Sequence, residues 1–359
     1  MQKQRFFDLT LGELSQALKS FGKEGFRGQQ LFRWIYALQT SDFEKMTNLA
    51  KDFRKEVPEL FDFSLPEVLK VHKSVDGTTK FLFDVGGGKS VEAVIIPSKG
   101  RLTLCISSEI GCNMACKFCY TGKQKLQRKL ETWEIVGQFV QAARTLEPDQ
   151  RLTNIVFMGM GEPLDNCENV FKSIEILHST WGYNVSRKRV TVSTSGIVPM
   201  IPEVTKAGVR LAVSLNAATD EVRSEIMPIN KRWPLAELLE ACRVHCAESG
   251  DKVTLEYVLL KGVTDSLADA RTLYHLTKSV PCKINIIPFN EHPGSGYLRP
   301  DEDTIVRFQN ELIRLGAHVL RRKTMGRDIY AACGQLTTAV KPSTILPSKK
   351  MDLTISGSI

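Results

Sequence analysis

The stretch GCNMACKFCYTG, residues 111–122, sets three cysteines, Cys112, Cys116 and Cys119, within one short loop. The amino terminus, MQKQRFFDLTLGELSQALKS, mixes polar and charged residues and lacks the apolar core and small-residue cleavage site of a signal peptide. A cytoplasmic location is therefore expected, and there the nine cysteines stay mostly reduced. Clustered thiols in that setting point to metal binding or catalysis rather than to disulfides. A structural zinc site wants four ligands, and Cys105 could complete such a set. The C-x3-C-x2-C spacing argues otherwise. Zinc sites usually pair their cysteines in two knuckles, whereas this run is compact enough to wrap one side of an iron–sulfur cube. A cube given only three thiolates keeps one iron open, as a catalytic zinc keeps one position for its substrate.

The loop follows a strand-like run, LTLCISS, and from there the chain alternates β-rich and amphipathic helical stretches. The further β-rich runs are NIVFMGM, RVTVSTSG, VRLAVSLN, VTLEYVLL and KINIIPFN. Six βα units in series, without the glycine fingerprint of a dinucleotide fold, predict an α/β chain with a parallel barrel or a partial one. Chemistry in such barrels sits at the carboxyl ends of the strands. There the sequence places Gly161, Glu162, Ser193, Ser195, Ser214, Asn216 and Asn290.

Residues 1 to about 70 read as a small helical domain, and the period then changes to strand-like alternation across a β-rich linker, 71–97, with DG and GGG as hairpin turns. The barrel spans 98–335, and 336–359, without an aromatic residue, reads as a flexible tail. The 359 residues carry 42% apolar and 25% charged side chains, ordinary for a globular protein, and no apolar run approaches the roughly 20 residues that span a bilayer. The net charge of +8 is concentrated in three knots: Lys117, Lys123, Lys125, Arg128 and Lys129; Arg187, Lys188 and Arg189; Arg321, Arg322, Lys323 and Arg327. Three such knots beside site loops favour a nucleic acid as partner.

The cysteine spacing, with Phe118 just before the third cysteine, resembles the signature of the radical S-adenosylmethionine (SAM) superfamily, whose fold is a partial (β/α)6 barrel. Further stretches, LCISSEIGCNMACKFC, FMGMGEPLDN, TVSTSGIVP, MPINKRWPL and DIYAACGQL, resemble the bacterial radical-SAM RNA adenine methyltransferases of the RlmN and Cfr type. The turn Gly161-Glu162-Pro163 looks like the branch that methylates C2 of adenine; the Cfr branch, which methylates C8, reads Gly-Glu-Ala there.

The resemblance implies a 4Fe-4S cluster on Cys112, Cys116 and Cys119, and SAM contacts from Gly161, Glu162, Ser193, Ser214, Leu215, Asn216 and Asn290. Cys333 looks like a methyl-carrying cysteine, Cys105 its disulfide partner and Glu92 the proton acceptor. The implied reaction consumes two SAM per turnover and passes through S-methylcysteine and a transient disulfide. Its implied substrates are adenosine 2503 of 23S rRNA, at the peptidyl-transferase centre, and adenosine 37 of tRNA. Flavodoxin and its reductase are the implied electron donor, and a monomer without membrane contact is expected. Three positions depart from the family pattern: Tyr120, Lys125 and Asn216. A non-catalytic iron–sulfur RNA-binding protein is the alternative from another class, against which the pair Cys105 and Cys333 argues. Cys167, Cys242, Cys246, Cys282 and the six histidines read as core or surface positions.

Overall fold

The computed structural model describes residues 3–337. Near the amino terminus, α1 (Leu11–Ser20) starts at a reciprocal cap: the Thr10 hydroxyl accepts from the Glu13 N–H and the Glu13 carboxylate accepts from the Thr10 N–H. The second helix, α2 (Arg27–Phe32), runs on into a wide turn at 33–37, and α3 (Lys51–Leu60) completes the group. These helices do not stand apart from the rest of the molecule. Phe6 stacks on Phe63 with ring centroids 4.8 Å apart, Tyr36 meets Tyr183 at 5.8 Å, and Tyr183 meets Phe139 at 4.6 Å. Asp8 accepts from the Trp133 N–H at 2.8 Å. One aromatic core thus continues from the first helices into the barrel.

The sheet begins with β1 (Glu67–Lys73), β2 (Thr79–Asp84), β3 (Ser90–Ser98) and β4 (Arg101–Cys105), all joined as antiparallel neighbours. Residues 71–97 are therefore not a bridge between bodies but an antiparallel wing of the barrel sheet, and the boundary drawn at residue 70 falls inside β1. From β4 onward the pairing is parallel, through α4 (Thr132–Ala143), β5 (Asn154–Phe157), α5 (Cys167–His178), β6 (Val190–Thr194), α6 (Ile201–Ala207) and β7 (Arg210–Ser214). The chain continues with α7 (Asp220–Ile226), α8 (Leu235–Ser249), β8 (Val253–Leu259), α9 (Leu267–Thr277), β9 (Cys282–Pro288), α10 (Glu302–Arg314) and β10 (Val319–Arg321).

These ten strands lie in one sheet in chain order, β10 to β1, so each new βα unit is laid beside the previous one. The inner strands read as continuous apolar runs because helices cover their outer face. The α/β architecture with a series of parallel strands is the one expected, with a seventh short parallel strand, β10, added to the six. The basic run that follows hides it: the three residues Val319, Leu320 and Arg321 are too few to show a strand period. Of the expected tail, everything past residue 337 lies outside the described residues.

Candidate active site

The loop that carries Cys112, Cys116 and Cys119 is closed at its base by a two-residue ribbon in which Glu109 pairs with Lys129 and Ile110 with Arg128. Arg128 locks the ribbon by donating to both oxygens of buried Glu134 at 2.7 Å. Within the loop the Cys112 N–H donates to the Gln124 carbonyl at 3.0 Å and the Cys119 N–H to the Cys116 carbonyl at 3.1 Å. Gly111 has φ +81°, and a Cβ there would lie 2.2 Å from the Lys125 carbonyl oxygen, so only glycine lets the loop close. Phe118 anchors it below, packed among Ile226, Met227, Val258, Leu260, Ile287 and Phe289 with Cys116 and Cys119 against the same group.

Burial raises all three thiols, so a cationic centre is what would hold them as thiolates. Among the described residues no set of three or more His, Cys, Asp or Glu is arranged to grip a single metal ion. A cube takes each thiolate on a different iron, and three thiolates from one loop suit it.

Beyond the loop lie the carboxyl ends of the strands. Gly161 has φ +97°, and a Cβ there would sit 2.5 Å from the Glu109 Cβ. The Gly161-Glu162 turn is thereby pressed onto Glu109, whose Oε2 accepts from the Glu162 N–H at 2.8 Å. Glu162 is buried and its two oxygens accept from the N–H groups of Leu164 at 3.1 Å and Ser195 at 2.7 Å. Two polar atoms here lack a partner while fully buried: Oε1 of Glu109 and Oγ of Ser195. An unsatisfied carboxylate oxygen and hydroxyl beside the cysteine loop suit a ligand bearing an ammonium group, as SAM does. Ser193 lies one residue before the end of β6, Ser214 ends β7 and Leu215 follows it, fully buried. Asn216, in the left-handed region at φ +60°, spends its side chain inward, accepting from the Val258 N–H at 3.0 Å. Its Nδ2 donates to Met227 Sδ at 3.3 Å.

Arg223 ties these ends together. It is fully buried and donates to the carbonyls of Ser195 at 2.6 Å, Ser214 at 3.1 Å and Leu215 at 2.9 Å, and to Asn230 Oδ1 at 2.9 Å. All four acceptors are neutral. Burial lowers its guanidinium to about 10, and the Cys116 thiol is the foremost group acting the other way.

Beside the cysteine loop, close enough for Cys333 to act on Cys119, Cys105 and Cys333 come together. Cys105 closes β4; Cys333 lies in a loop held by Asn290, whose Nδ2 donates to the Cys333 carbonyl at 3.1 Å, and by the Tyr120 N–H, which donates to the Gly334 carbonyl at 2.8 Å. Burial pushes the Cys105 thiol up to about 12, with the neighbouring Cys333 as the next cause. Arg322 acts the other way on both thiols. Glu92 on β3 shares the face of Cys105, because Val94, two residues on, pairs with Cys105. The Glu92 carboxylate is raised by burial and lowered by Lys80. The structure therefore brings Glu92, Cys105, Cys333 and Asn290 to one mouth, with the cysteine loop and the Gly161-Glu162 turn adjoining.

The chain matches the radical SAM superfamily over residues 107–273 and the ribosomal RNA large subunit methyltransferase N-terminal domain over residues 5–62. The dual-specificity RNA methyltransferase RlmN of Bdellovibrio bacteriovorus is 64% identical over 345 residues, which cover 96% of this chain and 86% of that protein. This chain belongs to the RlmN family. The RlmN of Geobacter sulfurreducens is 47% identical over 341 residues, 93% of each chain. A crystal structure of a radical SAM methyltransferase from Sphaerobacter thermophilus superposes with a TM-score of 0.89 at 40% identity, over 94% of this chain and all of that one. The protein is a SAM-dependent RNA methyltransferase of the radical SAM superfamily.

Within this RlmN-family chain the basic knots divide. Lys188 pairs with Asp251 at 2.6 Å, Arg321 with Glu302, and Arg128 with Glu134, so these serve the fold. Arg322 turns inward to the cysteines, Arg327 pairs with Glu291 at 3.8 Å, and Lys125 and Lys323 are exposed. Four residues of the mouth carry no motif spacing of their own: Glu109, Arg223, Arg322 and His292. His292 is buried, bonds the Phe118 carbonyl at 3.0 Å and packs on Tyr120 with ring centroids 4.9 Å apart. Tyr120, a departure from the family pattern, thus joins the cysteine loop to the Cys333 loop.

Proposed function

We propose that this chain methylates C2 of adenine in 23S rRNA and in tRNA, with Cys333 as methyl carrier, Cys105 as resolving thiol and Glu92 as proton acceptor. The observation that carries the reading is the meeting of Cys105 and Cys333 beside Arg322, in a mouth that also holds Glu92. C2 of adenine lies between two ring nitrogens and is electron-poor, so it does not displace a methyl group from SAM. Held by Cys112, Cys116, Cys119 and the strand ends, the 4Fe-4S cluster and SAM would supply the radical chemistry that such a carbon accepts.

The residues of the chain divide the remaining work. Arg322 favours the Cys333 thiolate, the form that takes a methyl group. Cys105 stays protonated at that stage, because burial and its neighbour both raise it. Once the Cys333 sulfur is bonded to carbon and carries no thiolate charge, the second of those causes is gone. Glu92 then takes the C2 proton of the adenine tethered to Cys333. The tethered adenine, left with one unpaired electron by radical addition, returns that electron to the one-electron donor system; attack by Cys105 on the Cys333 sulfur then forms the S–S bond and breaks the S–C bond, the electron pair of that bond stays on carbon, which gains a proton, and an external two-electron reductant resets both thiols. A flavodoxin with its reductase suits that role and the supply of single electrons. The reading includes a cytoplasmic location, RNA contacts by the exposed lysines and the amino-terminal helices, and action as a monomer.

A Cys105→Ala enzyme tests it. RNA is expected to remain attached to Cys333, giving a slow band on a denaturing gel that nuclease collapses. Normal turnover by that variant, with no attached RNA, would sink the paired-cysteine mechanism.

A further inference from the structure

Glu92 does not stand alone on its strand. Nζ of Lys80, on β2, lies 3.0 Å from Glu92 Oε1, and both residues are buried, 8% and 6% exposed. The other Glu92 oxygen accepts from the Thr337 N–H at 3.0 Å, and Lys80 also donates to the Tyr330 carbonyl at 3.3 Å. Strand register produces the pair: Lys80 lies opposite Val94 and Leu82 opposite Glu92, which makes Lys80 and Glu92 diagonal neighbours on one face. Cys105, opposite Val94 on the next strand, shares that face. A buried ion pair is poor value as packing, since removing two charges from water costs about what their attraction returns. A sheet needing only stability does as well with two apolar residues. Both members, moreover, reach the segment that carries Cys333.

We propose that Lys80 is a positioning residue for proton removal: it holds Glu92 as an ionised carboxylate at the mouth and stays paired to it while Glu92 receives the C2 proton. This rests on the reading of Glu92 as the proton acceptor. In the step, the C2–H bond breaks, its electron pair stays with the ring, the proton passes to the carboxylate, and Lys80 keeps its own proton. Burial alone favours the protonated acid, which can accept nothing; the ammonium opposes that, and it is the charged group that acts most strongly on Glu92. The other titratable groups around the pair are His72, opposite Lys80 on β1, and Cys105 on β4.

The test compares the reconstituted holoenzyme with its Lys80→Met, Lys80→Arg and Glu92→Gln variants, each checked for iron content and thermal melting. The readouts are methylated RNA and the RNA–protein adduct, measured between pH 7 and 9. Lys80→Met is expected to accumulate adduct at least tenfold over the parent at pH 7 and to regain turnover as rising pH ionises Glu92. Lys80→Arg should stay within a few-fold of the parent. Glu92→Gln should accumulate adduct at every pH. Should Lys80→Met fail to hold iron, Lys80→Gln, which keeps a donor without the charge, takes its place with the same expectation. Turnover by the neutral variant with the parent's pH profile and no adduct, while Glu92→Gln stalls, overturns the role of Lys80 alone. Normal turnover by Glu92→Gln overturns the reading of Glu92 and this role with it.

Discussion

Asn290 donates from Nδ2 to the main-chain carbonyl of Cys333 at 3.1 Å, tying the residue that follows the last long strand to the loop that carries the thiol. Its Oδ1 in turn accepts from the Thr324 hydroxyl at 3.2 Å. One side chain thus sets the height of Cys333 over the strand ends.

Asn290→Ala should cost about 1 kcal/mol in stability, the usual net value of a hydrogen bond, yet lower methyl loading of Cys333 several-fold. Mass spectrometry of the Cys333 peptide after incubation with SAM, beside a thermal melt, separates the two effects. Equal losses in both would mean that Asn290 serves packing only.

Arg223 is a buried cation on four neutral acceptors, so its removal leaves the carbonyls of Ser195, Ser214 and Leu215 without their donor. Arg223→Met is expected to destabilise the protein by about 1–3 kcal/mol, the cost of leaving a buried acceptor without its donor, with Arg223→Lys intermediate. Urea unfolding of the cluster-free proteins measures this. A loss below about 1 kcal/mol would remove Arg223 as the tie between strand ends.

Glu109 supplies a pH test. Burial raises its carboxyl to about 8, with Asp165 and Glu162 adding to the effect, while an unfolded glutamate titrates near 4.5. The folded state therefore holds a proton that the unfolded state releases, so the contribution is complete below pH 4.5 and is lost as pH rises towards 8. Glu109→Gln should flatten the fall in stability across that window and leave the cluster-free protein more stable at pH 8 by a few kcal/mol. Parallel pH dependence of the two proteins would show that Glu109 is already ionised in the fold.

Replacing Cys112, Cys116 or Cys119 by Ala should remove iron and activity together, whereas Cys105→Ala and Cys333→Ala should keep the iron of the parent. Iron and sulfide analysis after anaerobic reconstitution decides it. Loss of iron from Cys105→Ala would bring back a four-thiolate site.

The parts of the site legible in the sequence are those that local spacing encodes. The cysteine loop, the Gly161-Glu162 turn and the strand-end polar residues follow from short-range pattern, because each lies just past an apolar run that announces its strand. Glu109, Arg223, Arg322 and His292 were silent because their roles depend on distant partners. Arg322 stands in a basic run that reads as a nucleic-acid contact, and only the parallel pairing of β10 on β9 turns it towards the cysteines. Lys80 and Glu92 meet through a hairpin register that alternation alone does not fix. The wing of β1 to β3 was visible as strands but not as part of the barrel sheet, since the β3–β4 turn at Lys99-Gly100 gives no hint that the next strand will change to parallel pairing.

SAM with a trideuterated methyl group reports whether the methyl rests on Cys333 before it reaches RNA. Loading on Cys333 followed by hydrogen abstraction from the loaded methyl should give an adenine methyl with two deuteriums and one hydrogen from water, and enzyme preloaded with unlabelled methyl should give an unlabelled first turnover. Mass spectrometry of digested RNA reads both. A product methyl that keeps all three deuteriums would contradict the account.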